Sequence, residues 1–182
     1  MKDSVYKRHL DISRDGSLVV SSIAVTGTGT VSTTVDDADK GFYHWFLTLN
    51  LATEPETSPA RTITLDSQPT IYPEATLIIK SQPPCADPSK VEVTIPTIGA
   101  PQASELIDYL ISEGMARYVY ADGGFGCRWW CRVALQKLEA KGWVERGAED
   151  KYVALQQECA ERDPDRFPTF LKKGMFMEKV GD

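Results

Sequence analysis

The chain is short of several things, and each shortage removes a class of function. It has no apolar run near the roughly 20 residues that a membrane-spanning helix needs, so a membrane partner is not expected. Its opening residues, MKDSVYKRHLDISRDG, lack the apolar stretch of a secretory signal, and GMFMEKVGD carries no prenylation box. Basic residues are in deficit, with 20 Lys and Arg against 26 Asp and Glu and a formal charge of -6, which argues against a general nucleic-acid binder. Histidine is scarce, with two in 182 residues. The four cysteines include no Cys-x-x-Cys pair, so neither a zinc site nor any other cofactor is expected. Without a secretory signal the reducing cytoplasm is the expected location, and free thiols the expected state.

What remains is an ordinary globular balance, 42% hydrophobic and 25% charged, at a length suited to one domain. Residues 1–17 read as a polar N-terminal segment, 18–145 as the core domain, and 146–182 as a helix followed by a tail that docks through its phenylalanines. Strands are expected at 18–26, 42–51, 61–66, 75–80 and 90–95, and helices over 101–114, 127–142 and 150–162. The Gly-Thr-Gly of 27–29 lacks the following helix of a phosphate-binding loop and reads as a connector. Strands first and helices after imply an α+β fold. The expected sheet is antiparallel or mixed, of about four to six strands, with helices on one side.

The strand FYHWFLTLNL divides by alternation into an apolar face, Tyr43, Trp45, Leu47, Leu49 and Leu51, and a mixed face, Phe42, His44, Phe46, Thr48 and Asn50. The clearest helix, CRWWCRVALQKLEAKG, repeats Cys127, Trp130, Cys131, Ala134, Leu135 and Leu138 at helical spacing. Cys127 opens it behind Asp122-Gly123-Gly124-Phe125-Gly126. A thiol there meets the positive helix end and unpaired backbone N–H groups, which favour the nucleophilic thiolate. The same N–H groups suit an oxyanion.

A nucleophile needs a base, and His44 is the natural one, since His9 lies in the N-terminal segment. Were 42–51 and 61–66 to pair antiparallel with opposed positions summing to 110, Thr48 would face Thr62 and His44 would face Asp66. A slip by two residues still leaves Asp66 on the histidine's face. The candidate catalytic set is therefore Cys127, His44 and Asp66. The candidate substrate-binding set is Gly123, Gly124, Gly126, Arg128, Trp45 and Trp130, Arg128 because a cation at a helix start can serve an anionic ligand. A structural reading stands beside this one: Cys127 lies on the core stripe of its helix, Trp129 and Trp130 read more readily as packing, and an apolar helix docks most naturally on the face opposite His44. A non-catalytic interaction domain would then be the outcome.

His44-Trp45 on an early strand, followed by Gly123-Gly124, Gly126-Cys127-Arg128 and Trp130, resembles a family of uncharacterised fungal domains over roughly residues 18–145. The order histidine strand, then cysteine helix, resembles the layout of circularly permuted papain-like thiol enzymes. That layout implies acyl transfer, as hydrolase or transferase, on a small-molecule or peptide acyl substrate. A more distant similarity is to the fungal arginine-containing cyclodipeptide synthases, which would imply a charged tRNA partner. The segment 117–146, with a net charge of +3, would permit that contact.

Overall fold

The computed structural model describes residues 1–8, 10, 12–31, 42–52, 61–169 and 171–179. The described residues form an α+β fold built on one curled sheet of eight strands. In chain order these are β1 (Val5–Arg8), β2 (Val20–Val31), β3 (Phe42–Leu51), β4 (Thr62–Ile71), β5 (Glu74–Gln82), β6 (Val91–Pro96), β7 (Tyr118–Val119) and β8 (Met175–Phe176). Three long helices, α2 (Ala103–Ser112), α3 (Cys127–Lys141) and α4 (Ala148–Arg162), follow the single turn α1 (Ile12–Asp15). The sheet order is β6-β2-β3-β4-β5-β7-β8, and β1 runs parallel to β5 as the one parallel pairing.

The strand count exceeds the expected four to six for a physical reason. The N-terminal segment is not a loose tail: β1 lines Val5 to Arg8 against Leu77 to Lys80. Just beyond it Asp15 is fully buried, ion-paired with Arg61 and accepting a hydrogen bond from Ser81 Oγ at 2.6 Å. A buried carboxylate held on both sides ties the segment down. The other additions, β7 and β8, are two-residue strands too short for alternation to reveal. Gly27-Thr28-Gly29 lies within β2, which runs on to Val31. There the indole of Trp45 lies over Gly27, leaving a Cβ only 3.0 Å of room.

The apolar alternation of β3 works as read. Trp45, Leu47, Leu49 and Leu51 are buried together with Ile23 and Val25 of β2, Ile63 and Leu65 of β4, and Leu77 and Ile79 of β5. Against them pack Leu106, Ile107 and Leu110 of α2, the Trp130–Leu138 stripe of α3, and Tyr152 and Cys159 of α4. Helix α2 starts where Glu105 Oε2 accepts the N–H of Gln102 at 2.9 Å. Helix α3 ends at Gly142, which takes a left-handed φ of 79° while Trp143 N–H returns to Leu138 O at 3.0 Å. The Glu139 carboxylate of α3 accepts the N–H of Glu149 at 2.7 Å, which caps α4 and fixes one helix on the other. The tail docks through Phe167, which meets Tyr43 and Trp45, and through Phe176, which meets Tyr118. Phe170 and His9 lie outside the described residues.

Candidate functional site

The site arises where two strands part. β3 and β4 pair from Asn50↔Thr62 to Leu47↔Leu65, with opposed positions summing to 112, two residues from the expected register. Beyond Leu47 the ladder stops. The first half of β3 stays with β2, and the second half of β4 stays with β5. Continued by two residues, the register would set Trp45 against Ser67. At the paired end of this edge Leu51 N–H bonds Arg61 O at 3.1 Å, and strand periodicity aims the Trp45 N–H the same way. The Trp45 N–H instead meets the sulfur of Cys127. The Ser67 carbonyl instead accepts the hydroxyl of Tyr120. Helix α3 thus enters the opening end-on, and both backbone groups left by the broken ladder find new partners.

This resolves the conflict between the docking face and the histidine. The α3 stripe packs on the apolar face of β3, as its pattern demands. Its first residue reaches His44 on the other face because no strand lies in between. The shifted register keeps Asp66 on the histidine's face, and His44 Nε2 lies 2.5 Å from Asp66 Oδ1. Gln68 Nε2 donates to the other carboxylate oxygen at 2.6 Å, so Asp66 is held at both oxygens. With Nε2 engaged, the second ring nitrogen is left for the Cys127 sulfur, with which the imidazole is hydrogen-bonded.

The electrostatics follow from these contacts. Burial disfavours a charged imidazole, but the hydrogen bonds and opposite charges of Asp66 and Cys127 outweigh it and raise the His44 pKa to about 10. Burial likewise disfavours the Cys127 thiolate. The His44 hydrogen bond and charge, the Trp45 N–H and the Arg128 cation outweigh it, and the thiol pKa falls below its usual value. Both shifts, His44 upward and Cys127 downward, favour charge of opposite sign on the two groups. Cys131, one turn along α3, has no such neighbours, and burial pushes its thiol well up.

The start of α3 is arranged for this role. Gly126 is the N-cap and offers no side chain to the first-turn N–H groups. Its φ of 150° and the Tyr118 hydroxyl, 2.5 Å from where a Cβ would stand, require glycine. Tyr118 donates to Gly126 O at 2.9 Å and accepts Gly174 N–H at 3.0 Å, pinning the turn between β7 and the tail. Gly123 and Gly124, with φ of 83° and 74°, line a cleft of about 640 Å³ with His44, Cys127, Tyr120 and Phe125. The His44 side chain is 22% exposed, and Cys127 is half-buried.

The remaining candidates fall elsewhere. Trp130 is fully buried and donates from its indole to Met115 O at 2.9 Å, so it is a packing residue and cannot meet a substrate. The Trp45 indole is core, against Tyr152 and Phe167, and what it lends the site is its backbone N–H. Arg128 donates to Pro168 O at 2.7 Å and lines a second, smaller pocket. The basic segment 117–146 is largely paired: Arg117 with Asp3, Arg132 with Glu149, and Lys137 with Glu113. Sequence reasoning missed Gln68, Tyr118 and Tyr120. The two tyrosines carried a faint signal, alternate aromatics entering a glycine turn, whereas Gln68 carried none.

No curated protein and no solved structure matches the chain. A family model described as a domain of unknown function, DUF7770, matches residues 23–177, which include the β3 histidine, the glycine–cysteine turn and most of the docking tail. The chain belongs to this DUF7770 family.

Proposed function

We propose that the protein is a thiol-dependent acyl-transfer enzyme, a hydrolase or transferase. One observation carries the reading: Cys127 and His44 line the wall of one open cleft, and His44 Nε2 lies 2.5 Å from Asp66 Oδ1. The Cys127 thiolate attacks the acyl carbon. The Asp66 carboxylate, itself steadied by Gln68, fixes the imidazole so that its other nitrogen faces the sulfur. His44 enters the reaction protonated and gives its proton to the leaving group. It then takes a proton from the water or alcohol that releases the acyl group. The first-turn N–H groups of α3, uncapped by a side chain, suit the developing oxyanion. An aminoacyl-tRNA donor would use the same nucleophile, and three of the six basic residues of 117–146 that would contact it, Arg117, Arg132 and Lys137, are in ion pairs.

Activated acyl esters and thioesters of short, medium and long chain test the proposal. The expected result is an acyl adduct on Cys127 by intact mass and peptide mapping, and its absence in Cys127→Ala. No adduct with any chain length, together with iodoacetamide labelling of Cys127 no faster than that of Cys85, would return the protein to the class of interaction domains.

A further inference from the structure

Cys127 is shared by two pockets of different chemistry. The 640 Å³ cleft is walled mainly by carbon, from Phe42, Tyr43, Pro69, Tyr120 and Phe125. The other pocket offers about 40 Å³ and carries three cations, Arg128, Arg166 and Lys172, of which Arg166 also pairs with Asp163 at 3.7 Å; among the described residues its lining has no acidic side chain. Phe42, Tyr43, Phe125 and Cys127 belong to both walls, so the sulfur sits where the two meet. Two of the three cations come from the tail, which Arg128 holds in place through Pro168 O at 2.7 Å. Lys172 is fixed too, its Nζ 4.5 Å from the Phe125 ring centre and 3.2 Å from Asp122 O.

From this juxtaposition we infer the substrate class: an apolar acyl group joined to a leaving group that bears a carboxylate, of the N-acyl amino acid type. The inference rests on the thiol chemistry proposed above. The acyl chain lies in the large cleft, its carbonyl carbon at Cys127 Sγ, and the leaving group's carboxylate in the cationic pocket. Size decides between anions. A space of about 40 Å³ holds roughly three waters, which suits a carboxylate better than a phosphate with its ester oxygens. Guanidinium and ammonium donors give charge-assisted hydrogen bonds to it.

The reaction closes without a further reagent. The Cys127 thiolate forms an S–C bond to the acyl carbon, and the C–N bond breaks as the His44 proton passes to the departing amine nitrogen. Water then attacks the acyl-enzyme and gives a proton to His44. The S–C bond breaks, leaving a carboxylic acid and restoring thiolate and imidazolium. Net, one amide and one water give one acid and one amine.

Two matched thioesters test this, decanoyl thioglycolate and its uncharged partner decanoyl thioglycolamide, with thiol release and acylation of Cys127 followed together. The expected result is a kcat/KM about tenfold or more higher for the carboxylate, since a site built for a charged partner rejects the analogue lacking it. That preference, the ratio of the two rates, should collapse toward unity in Arg166→Gln/Lys172→Gln. Equal rates for the pair in the parent protein would overturn the substrate class and leave the thiol chemistry standing, as would a preference untouched by the double variant. Acylation by neither thioester would instead remove the thiol chemistry and this inference with it.

Discussion

The two halves of the β3–β4 contact do opposite work. From residue 47 to 50 of β3 the strands pair, every backbone group meets its ladder partner, and Leu47, Leu49, Ile63 and Leu65 are sealed from solvent. From 46 back to 42 the strands diverge, and the side chains at the opening are His44, Asp66 and Gln68. The paired half has its hydrogen bonds committed and nothing left to offer a ligand. The open half keeps a backbone donor at Trp45 and an acceptor at Ser67, and fills them with Cys127 and Tyr120. A sheet makes a site of this kind by ending a ladder early, since a completed one excludes both the helix end and the substrate.

The sharpest separation of the halves comes from Leu49→Ala. It cuts a fully buried side chain from the paired half and should destabilise the fold by about 2–5 kcal/mol in urea denaturation. Alkylation of Cys127 in the protein that remains folded should keep the parent rate. A stability loss under 1 kcal/mol would show that the paired half does not carry the fold.

His44→Gln is the converse. Removing the imidazole lets burial dominate at Cys127, so the thiol pKa rises again and its alkylation at pH 7 should slow markedly relative to the parent. The urea midpoint should move little. An unchanged alkylation rate would mean that the helix start alone ionises the sulfur, and the comparison would fail at its centre.

Tyr120→Phe tests the substitute ladder. It leaves the Ser67 carbonyl without its hydroxyl donor and should cost about 1–3 kcal/mol. The accompanying readout is faster amide exchange in β4 beyond Leu65, with exchange at 62–65 unaltered. Uniform exchange along the strand would show that the two halves open together.

The pH dependence draws the finest distinction. A lowered thiol pKa means that thiolate persists below the usual cysteine range and is lost only as pH falls through the lowered value. Alkylation of Cys127 should therefore show a single acid limb and a plateau above it. Acyl transfer from an amide also needs the imidazolium proton, so it should show the same acid limb and a second loss as pH rises through about 10. An alkylation profile with one midpoint near that of a free thiol would deny the ion pair.

Much of this architecture was legible because it is written in local periods. FYHWFLTLNL alternates so cleanly that β3 falls at the expected residues, and the Cys127–Leu138 spacing marks α3 with its Gly142 stop. The shared face of His44 and Asp66 survived an error of two in the register, because a strand's side chains return to the same face every second residue. Strand β1 was not legible in the polar N-terminal segment because its order depends on partners far along the chain, Leu77 to Lys80 for β1 and Arg61 and Ser81 for Asp15. Trp130 stood among the candidate substrate contacts, but its position three residues on from Cys127 along the helix turns it into the core, as its packing reading had it.

The amino-acid order by itself determined which segments are strands and helices, which face of each is apolar, and that a cysteine opens a helix behind glycines. Periodicity is a property of neighbours in the chain and needs no knowledge of the whole. Where the β3–β4 ladder stops was decided only in three dimensions. That stop depends on α3 and Tyr120 taking up the backbone groups of Trp45 and Ser67, and no run of adjacent residues encodes such a competition. The meeting of one sulfur, one imidazole and three cations is its consequence.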